Sequence, residues 1–192
     1  MVLAHFGSRV EDLANRALAS ADQLTVPWSA INSQMVSHKY FFDFPPKEKG
    51  RLTYNFPGAQ LPLHQLTRAI SDLLEEANEV GRVCFGLPPF NVVGFARFRH
   101  AGSHIPVHSA RDPLSSDPDK HVLSLSLGAP CTYTFDCDTF RLPAGAWLCL
   151  PSRFRHGVEP GCEGRVSVTF KRFDRVPGLP SRGPPLAAGL GR

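Results

Sequence analysis

From residue 8 onward the apolar positions keep a helical rhythm, with Val10, Leu13, Ala14, Ala17, Leu18 and Ala21 recurring every three or four places. Ser8 and Glu11 have capping-box spacing, so a short amphipathic helix ending near Gln23 is predicted. A second stripe, Leu66, Ile70, Leu73, Leu74 and Ala77, predicts a helix between Leu63 and Val80, with Gly81 as its C-cap. Between the two, from Val26 to Pro62, the rhythm breaks. Tyr40, Phe41, Phe42, Phe44, Tyr54 and Phe56 stand among Pro45, Pro46, Pro57 and Gly58, which predicts short strands and loops. After Phe90 come short β-like runs: Val92 to Phe98, Val122 to Leu127, Thr132 to Phe135, Trp147 to Leu150 and Arg165 to Phe170. Two helices followed by many short strands predict a mainly β fold with some α, a helix-backed sandwich or barrel. Residues 174–192 hold four prolines and four glycines with little periodic hydrophobicity, and are predicted to stay disordered.

Composition narrows this picture. A chain of 192 residues fits one core, and 18 prolines with 16 glycines favour many short elements over long helices. No run approaches the roughly 20 apolar residues needed to span a bilayer, and the amino terminus lacks a basic-then-apolar leader pattern. The expectation is therefore a cytoplasmic or nuclear protein with no membrane partner, most simply a monomer. Cys84, Cys131, Cys137, Cys149 and Cys162 are odd in number and lack paired C-x-x-C spacing, so they read as reduced thiols. A formal net charge of +4 suits a polyanionic partner and equally an ordinary soluble surface.

Three segments carry candidate chemistry. Asn91 leads to His108-Ser109-Ala110; Ser124-Leu125-Ser126-Leu127-Gly128 follows; then come His156 and the run from Arg165 through Ser167, Thr169 and Phe170 to Lys171. Their order and spacing resemble the AlkB family of iron(II)- and 2-oxoglutarate-dependent dioxygenases, whose motifs run asparagine, H-x-D, S-(L/F)-G, a distal histidine and R-x-x-x-T-F-R. The resemblance covers roughly residues 61–173. It implies a double-stranded β-helix, a jelly roll braced by the N-terminal helices, with residues 1–60 as an extension holding a helix and a nucleotide-recognition region.

It also implies cofactors and sites. Fe(II) would be held by His108 and His156, and 2-oxoglutarate by Arg165, Lys171, Asn91 and Ser167, with dioxygen as co-reactant. Arginine suits a carboxylate because it is a permanently charged, planar fork of donors. The implied reaction is oxidative demethylation of N-alkylated bases in single-stranded RNA or DNA. The aromatic segment from Tyr40 to Phe56, with Lys47, Lys49 and Arg51, lies where the family places its recognition lid.

The departures are specific. The carboxylate of H-x-D is replaced by Ala110, the family tyrosine is Phe98, and a second asparagine falls at Ala96. Asp112, two residues beyond Ala110, is a candidate substitute ligand. These changes leave open a catalytically silent module that binds nucleic acid or protein, and, on Ala110 alone, a two-histidine iron enzyme of the halogenase kind.

Overall fold

The computed structural model describes residues 2–5, 8–25, 28–31, 36–42, 53–56, 59–109 and 121–173. Helix α1 (Ser8–Gln23) lies where its spacing predicts. Helix α2 (Arg68–Phe85) starts and ends five residues later than the stripe suggests. Leu63 and its neighbours instead form strand, pairing in parallel with Tyr40, Phe41 and Phe42. Thr67 then caps the helix, its hydroxyl accepting from the Ile70 N–H at 3.4 Å. Gly81 does not end the helix: it sits inside it, where a Cβ would press on the Phe90 ring. The cap is Gly86, in the left-handed region at φ 64°, with its N–H bonded to the Arg82 carbonyl.

The strands are β1 (Val2–His5), β2 (Ser29–Ile31), β3 (Val36–Phe42), β4 (Thr53–Phe56), β5 (Ala59–Gln65), β6 (Val92–Phe98) and β7 (Ile105–Ser109), followed by β8 (His121–Leu127), β9 (Cys131–Phe135), β10 (Asp138–Leu142), β11 (Ala146–Pro151), β12 (Arg155–Val158) and β13 (Val166–Lys171). Among the described residues they form a nine-stranded sheet in the order β1-β11-β8-β13-β6-β3-β5-β4, with β2 beside β3, and a four-stranded sheet in the order β10-β9-β12-β7. Every pairing is antiparallel except β3 with β5. This is the double-stranded β-helix that the sequence leads one to expect.

Strand periodicity explains the two cores. In β8, Leu123, Leu125 and Leu127 face α1 and α2, together with Val168 and Phe170 of β13 and Phe95 of β6. The alternate residues, Ser124 and Ser126 of β8 and Ser167 and Thr169 of β13, turn to the opposite face. On that side Val36, Phe98, Leu148 and Leu150 meet Tyr133, Leu142 and Val158 of the small sheet. Fully buried side chains such as Phe41, Phe95 and Leu123 each contribute about 1.5–3 kcal/mol. The C-terminal end of α1 is tied to the large sheet through buried Lys39, whose ammonium donates to the Ala21 carbonyl at 2.7 Å. Arg97 pairs with Asp22 and lies over the Trp28 ring at 4.3 Å.

Tyr40, Phe41 and Phe42 are buried in β3, inside the large sheet rather than in a surface lid. Phe44, Lys47, Lys49 and Arg51 lie outside the described residues, as do Ala110, Asp112 and residues 174–192. All five cysteines are free. Among the described residues no helix is long and apolar enough to cross a membrane.

The turn after β8 depends on Gly128, which has φ +70° and would push a Cβ into the carbonyl oxygen of Gly164. Gly128→Ala therefore combines backbone strain with a clash against rigid main chain. A loss of about 3 kcal/mol is expected, read as a fall in Tm of about 10 °C. Gly86→Ala, at similar φ with open space around it, is expected to lose only about 1 kcal/mol. Equal effects of the two would show that the clash is relieved without cost.

Candidate active site

β7 and β12 are neighbours in the small sheet, and their register sets His108 directly opposite His156. Cross-strand partners share a face, so the two imidazoles meet with ring centroids 4.6 Å apart. The pairing then slips between His156 and Val158, a bulge of the kind that re-aims side chains beside functional sites. The Nδ1 of His108 lies 2.9 Å from the Pro106 carbonyl, and the Nδ1 of His156 lies 3.1 Å from the Phe154 carbonyl. A carbonyl only accepts, so each Nδ1 carries the proton and each Nε2 presents a lone pair. That tautomer is the one a metal-binding histidine needs.

Burial keeps both rings neutral. It pushes the His156 pKa down to about 4, with His108 and Lys171 adding repulsion, and burial likewise lowers that of His108. The Tyr133 ring of β9 lies parallel to His156, 6.0 Å between centroids and 7° between planes.

The histidines line a cavity of about 80 Å³ between the two sheets. His38 and Tyr40 of β3, Ser124 of β8, Tyr133 of β9, and Ser167, Thr169 and Lys171 of β13 complete its polar lining, and no acidic side chain is among the lining residues. Ser124 and Ser167 share a hydrogen bond of 3.2 Å across β8 and β13. His38 is 3% exposed, and burial, reinforced by Lys171, holds its pKa at about 4. With its histidines neutral, the cavity lining carries one cation, Lys171, and no acid, which suits a small anion.

Arg165, only 1% exposed, is not among the residues lining this cavity; it lines a separate one with Phe98, Glu163 and Gly164. One arm of its guanidinium donates to the Ser126 hydroxyl, the group lies 5.8 Å from the centre of the Phe98 ring, and its Nε has no hydrogen-bond partner among the described residues. Burial lowers its pKa, and the groups that partly offset this are Cys131, Cys162 and Tyr133, none of them a carboxylate. A buried arginine without an acid partner is costly unless an anion arrives to meet it.

Of the residues singled out from sequence, His108, His156, Lys171 and Ser167 come together around one cavity, whereas Arg165 lines a different one. Asn91 does not line it. Its amide clamps the main chain of Phe173, donating to the carbonyl and accepting from the N–H at 2.8 Å each, and so fixes the end of β13 beyond Lys171. Ala96, where the family has an asparagine, lines the cavity without offering a polar group. His38 and Tyr133 were not singled out. Their signal was the period of two, which turns Tyr133 to the inner face along with Cys131, and His38 along with Tyr40.

For an iron centre the fit is partial and definite. Two imidazoles line the cavity, and among the described residues no group of three ligating side chains forms. The next ligand position of the motif is Ala110, whose methyl group cannot coordinate.

No protein-family model matches the chain, and no curated protein matches it. Among solved structures, OsALKBH1 superposes with a TM-score of 0.63 at 13% identity, covering 89% of this chain and 97% of that one. A Pseudomonas putida prolyl-4-hydroxylase superposes with a TM-score of 0.54 at 17% identity, covering 89% of this chain and 91% of that one. At such identities the likeness is one of fold: the chain shares the jelly roll of these two structures.

Proposed function

We propose that this chain is an AlkB-like Fe(II)- and 2-oxoglutarate-dependent dioxygenase, with residues 61–173 as its oxygenase domain and N-alkylated bases of single-stranded RNA or DNA as substrates. The observation that carries this reading is the facing pair His108 and His156, each with Nδ1 tied to a carbonyl, in a cavity lined by Lys171 and by no acid. Iron held by these two nitrogens would supply activation of dioxygen for hydroxylation of an N-methyl group, which then leaves as formaldehyde.

The chain's own residues do the rest. Arg165, the match to the family arginine, would receive the distal carboxylate of 2-oxoglutarate, and Lys171, which lines the cavity, would add positive charge there. Ser167 and Ser124 offer hydroxyls between them. The apolar walls, Ile105, Val122, Leu150 and Val158, keep bulk water from the reacting atoms.

Ala110 sets the rate at which such chemistry can run. Restoring the acid with Ala110→Asp is expected to tighten Fe(II) binding by an order of magnitude or more and to raise methyl loss in parallel. The test is incubation with Fe(II), 2-oxoglutarate, ascorbate and an N-methylated single-stranded oligonucleotide, with mass spectrometry of the product. Activity confined to Ala110→Asp would identify an intact site disabled at one position. Silence in both proteins would overturn the demethylase reading in favour of a binding module, to which the lack of a third ligand among the described residues already lends weight.

A further inference from the structure

We infer that Gly157 is a positioning residue of the two-histidine centre: its missing side chain lets β7 lie against β12 closely enough for His108 to face His156. This assignment rests on the reading of these histidines as the metal-binding pair, and concerns what holds them at their spacing.

The register gives Gly157 its place. His156 pairs with His108 and Val158 with Ile105, so Gly157 alone stands opposite both Pro106 and Val107. Over this stretch β7 carries one residue more than β12, which makes it the bulged strand. Proline suits such a position because it has no N–H to leave unpaired. Pro106 also serves the site directly, its carbonyl lying 2.9 Å from the His108 Nδ1.

The fit at Gly157 is tight against main chain. A Cβ there would lie 2.8 Å from the Ile105 carbonyl oxygen, 3.1 Å from the Val107 nitrogen and 3.2 Å from the Val107 Cα. None of these atoms can swing aside as the tip of a side chain can, so any residue larger than glycine forces one of the two strands to move. β12 is held on its far side, where His156, Gly157 and Val158 pair with Phe135, Thr134 and Tyr133 of β9. The His156 ring is fixed as well, lying parallel to Tyr133. β7 ends the small sheet among the described residues, with β12 as its one neighbouring strand. The strand that yields is therefore β7, and it carries His108 with it. Binding groups must be held to within about 0.5 Å of their working positions. Relieving a contact of 2.8 Å asks for a shift of that order.

The test is Co(II) binding to the full chain by calorimetry, with thermal melts of the metal-free proteins. Gly157→Ala is expected to weaken Co(II) binding about tenfold or more, as the loss of a support beside a ligand does. Gly161→Ala, at φ +96° with open space around it, is expected to lower the Tm while keeping Co(II) affinity within about twofold. His108→Gln should weaken Co(II) at least as much as Gly157→Ala. Adding Gly157→Ala to it should cost less than about twofold more, because the pair is already broken. Unchanged affinity in Gly157→Ala, or losses that simply add, would overturn the assignment while leaving the oxygenase reading standing. Where Gly157→Ala does not fold, a cross-link in the chain that keeps Gly157 decides. Directly opposed residues of an antiparallel pair have Cα atoms about 4.5–5.5 Å apart, within reach of a disulfide. His108→Cys with His156→Cys is therefore expected to close one in oxidised glutathione, and failure to close would overturn the close approach of β7 that Gly157 is said to permit. Unchanged Co(II) affinity in both His108→Gln and His156→Gln would overturn the oxygenase reading, and the role of Gly157 with it.

Discussion

Arg165→Met is expected to lose 2-oxoglutarate binding by a hundredfold or more while leaving the folded protein as stable as before, or more stable by about 1 kcal/mol. The two signs come from one fact. Arg165 is 1% exposed, and among the described residues it has the Ser126 hydroxyl for a partner and no carboxylate. In the free protein the charge is desolvated without full compensation, a cost that an apolar side chain of similar length does not carry. With a dicarboxylate bound, the same group becomes half of a buried ion pair, and truncating one partner of such a pair costs roughly 2–5 kcal/mol. Arg165→Lys keeps the charge but not the planar fork, and should fall between the two in affinity. Thermal melts with calorimetry in parallel decide the matter. A Tm lowered by as much as an ordinary core truncation, with binding intact, would make Arg165 a structural residue.

Much of the fold was legible because it depends on periodicity. The stripe of α1 and the runs that became β6, β8, β9, β11 and β13 are long enough for alternation to show. β7, β10 and β12 were missed because strands of four or five residues, in which buried and exposed positions do not alternate and one position is Gly157, carry too little pattern. The start of α2 was misplaced because Leu63 and Leu66 extend its stripe, whereas pairing with β3 claims the residues up to Gln65. Tertiary pairing overrides a local stripe wherever both are available.

The meeting of the two histidines was legible in a different way. No pattern marks His108 and His156 as partners; the order of the motifs does, and the structure gives the reason in the cross-strand register of β7 and β12. Motif order was silent on what this chain does differently. Tyr133 and His38 belong to strands whose inner faces become a cavity only when the two sheets close, so neither is distinguishable along the chain from a core residue. Asn91 shows the opposite error, a motif residue whose amide is taken up by the Phe173 main chain.

Stability of the metal-free protein should fall steeply between pH 6.5 and 4 because of histidines buried in the neutral form. His38 is 3% exposed and His156 8%, and burial brings each to about 4 from an ordinary value of 6.5. The folded-state pKa is the lower one, so as pH falls through 6.5 the unfolded chain takes up protons that the folded chain refuses. Stability is therefore complete above pH 7, declines through this window, and loses nothing further from these groups below about 4. A gap of about 2.5 pH units corresponds to roughly 3 kcal/mol per histidine, enough for two of them to unfold a domain of ordinary stability. Urea unfolding at pH 7.5, 5.5 and 4.5 reads the slope directly. His38→Phe should flatten it by about half whatever it does to the absolute value, because a phenylalanine takes no proton in either state. Mn(II) should add stability at pH 7.5 and progressively less at lower pH, since metal and proton compete for the same Nε2 atoms. That metal-dependent part should vanish in His156→Gln and persist in His38→Phe. A stability profile level from pH 7.5 to 4.5 would mean that these imidazoles are open to water and that the cavity is not the closed, dry site described above.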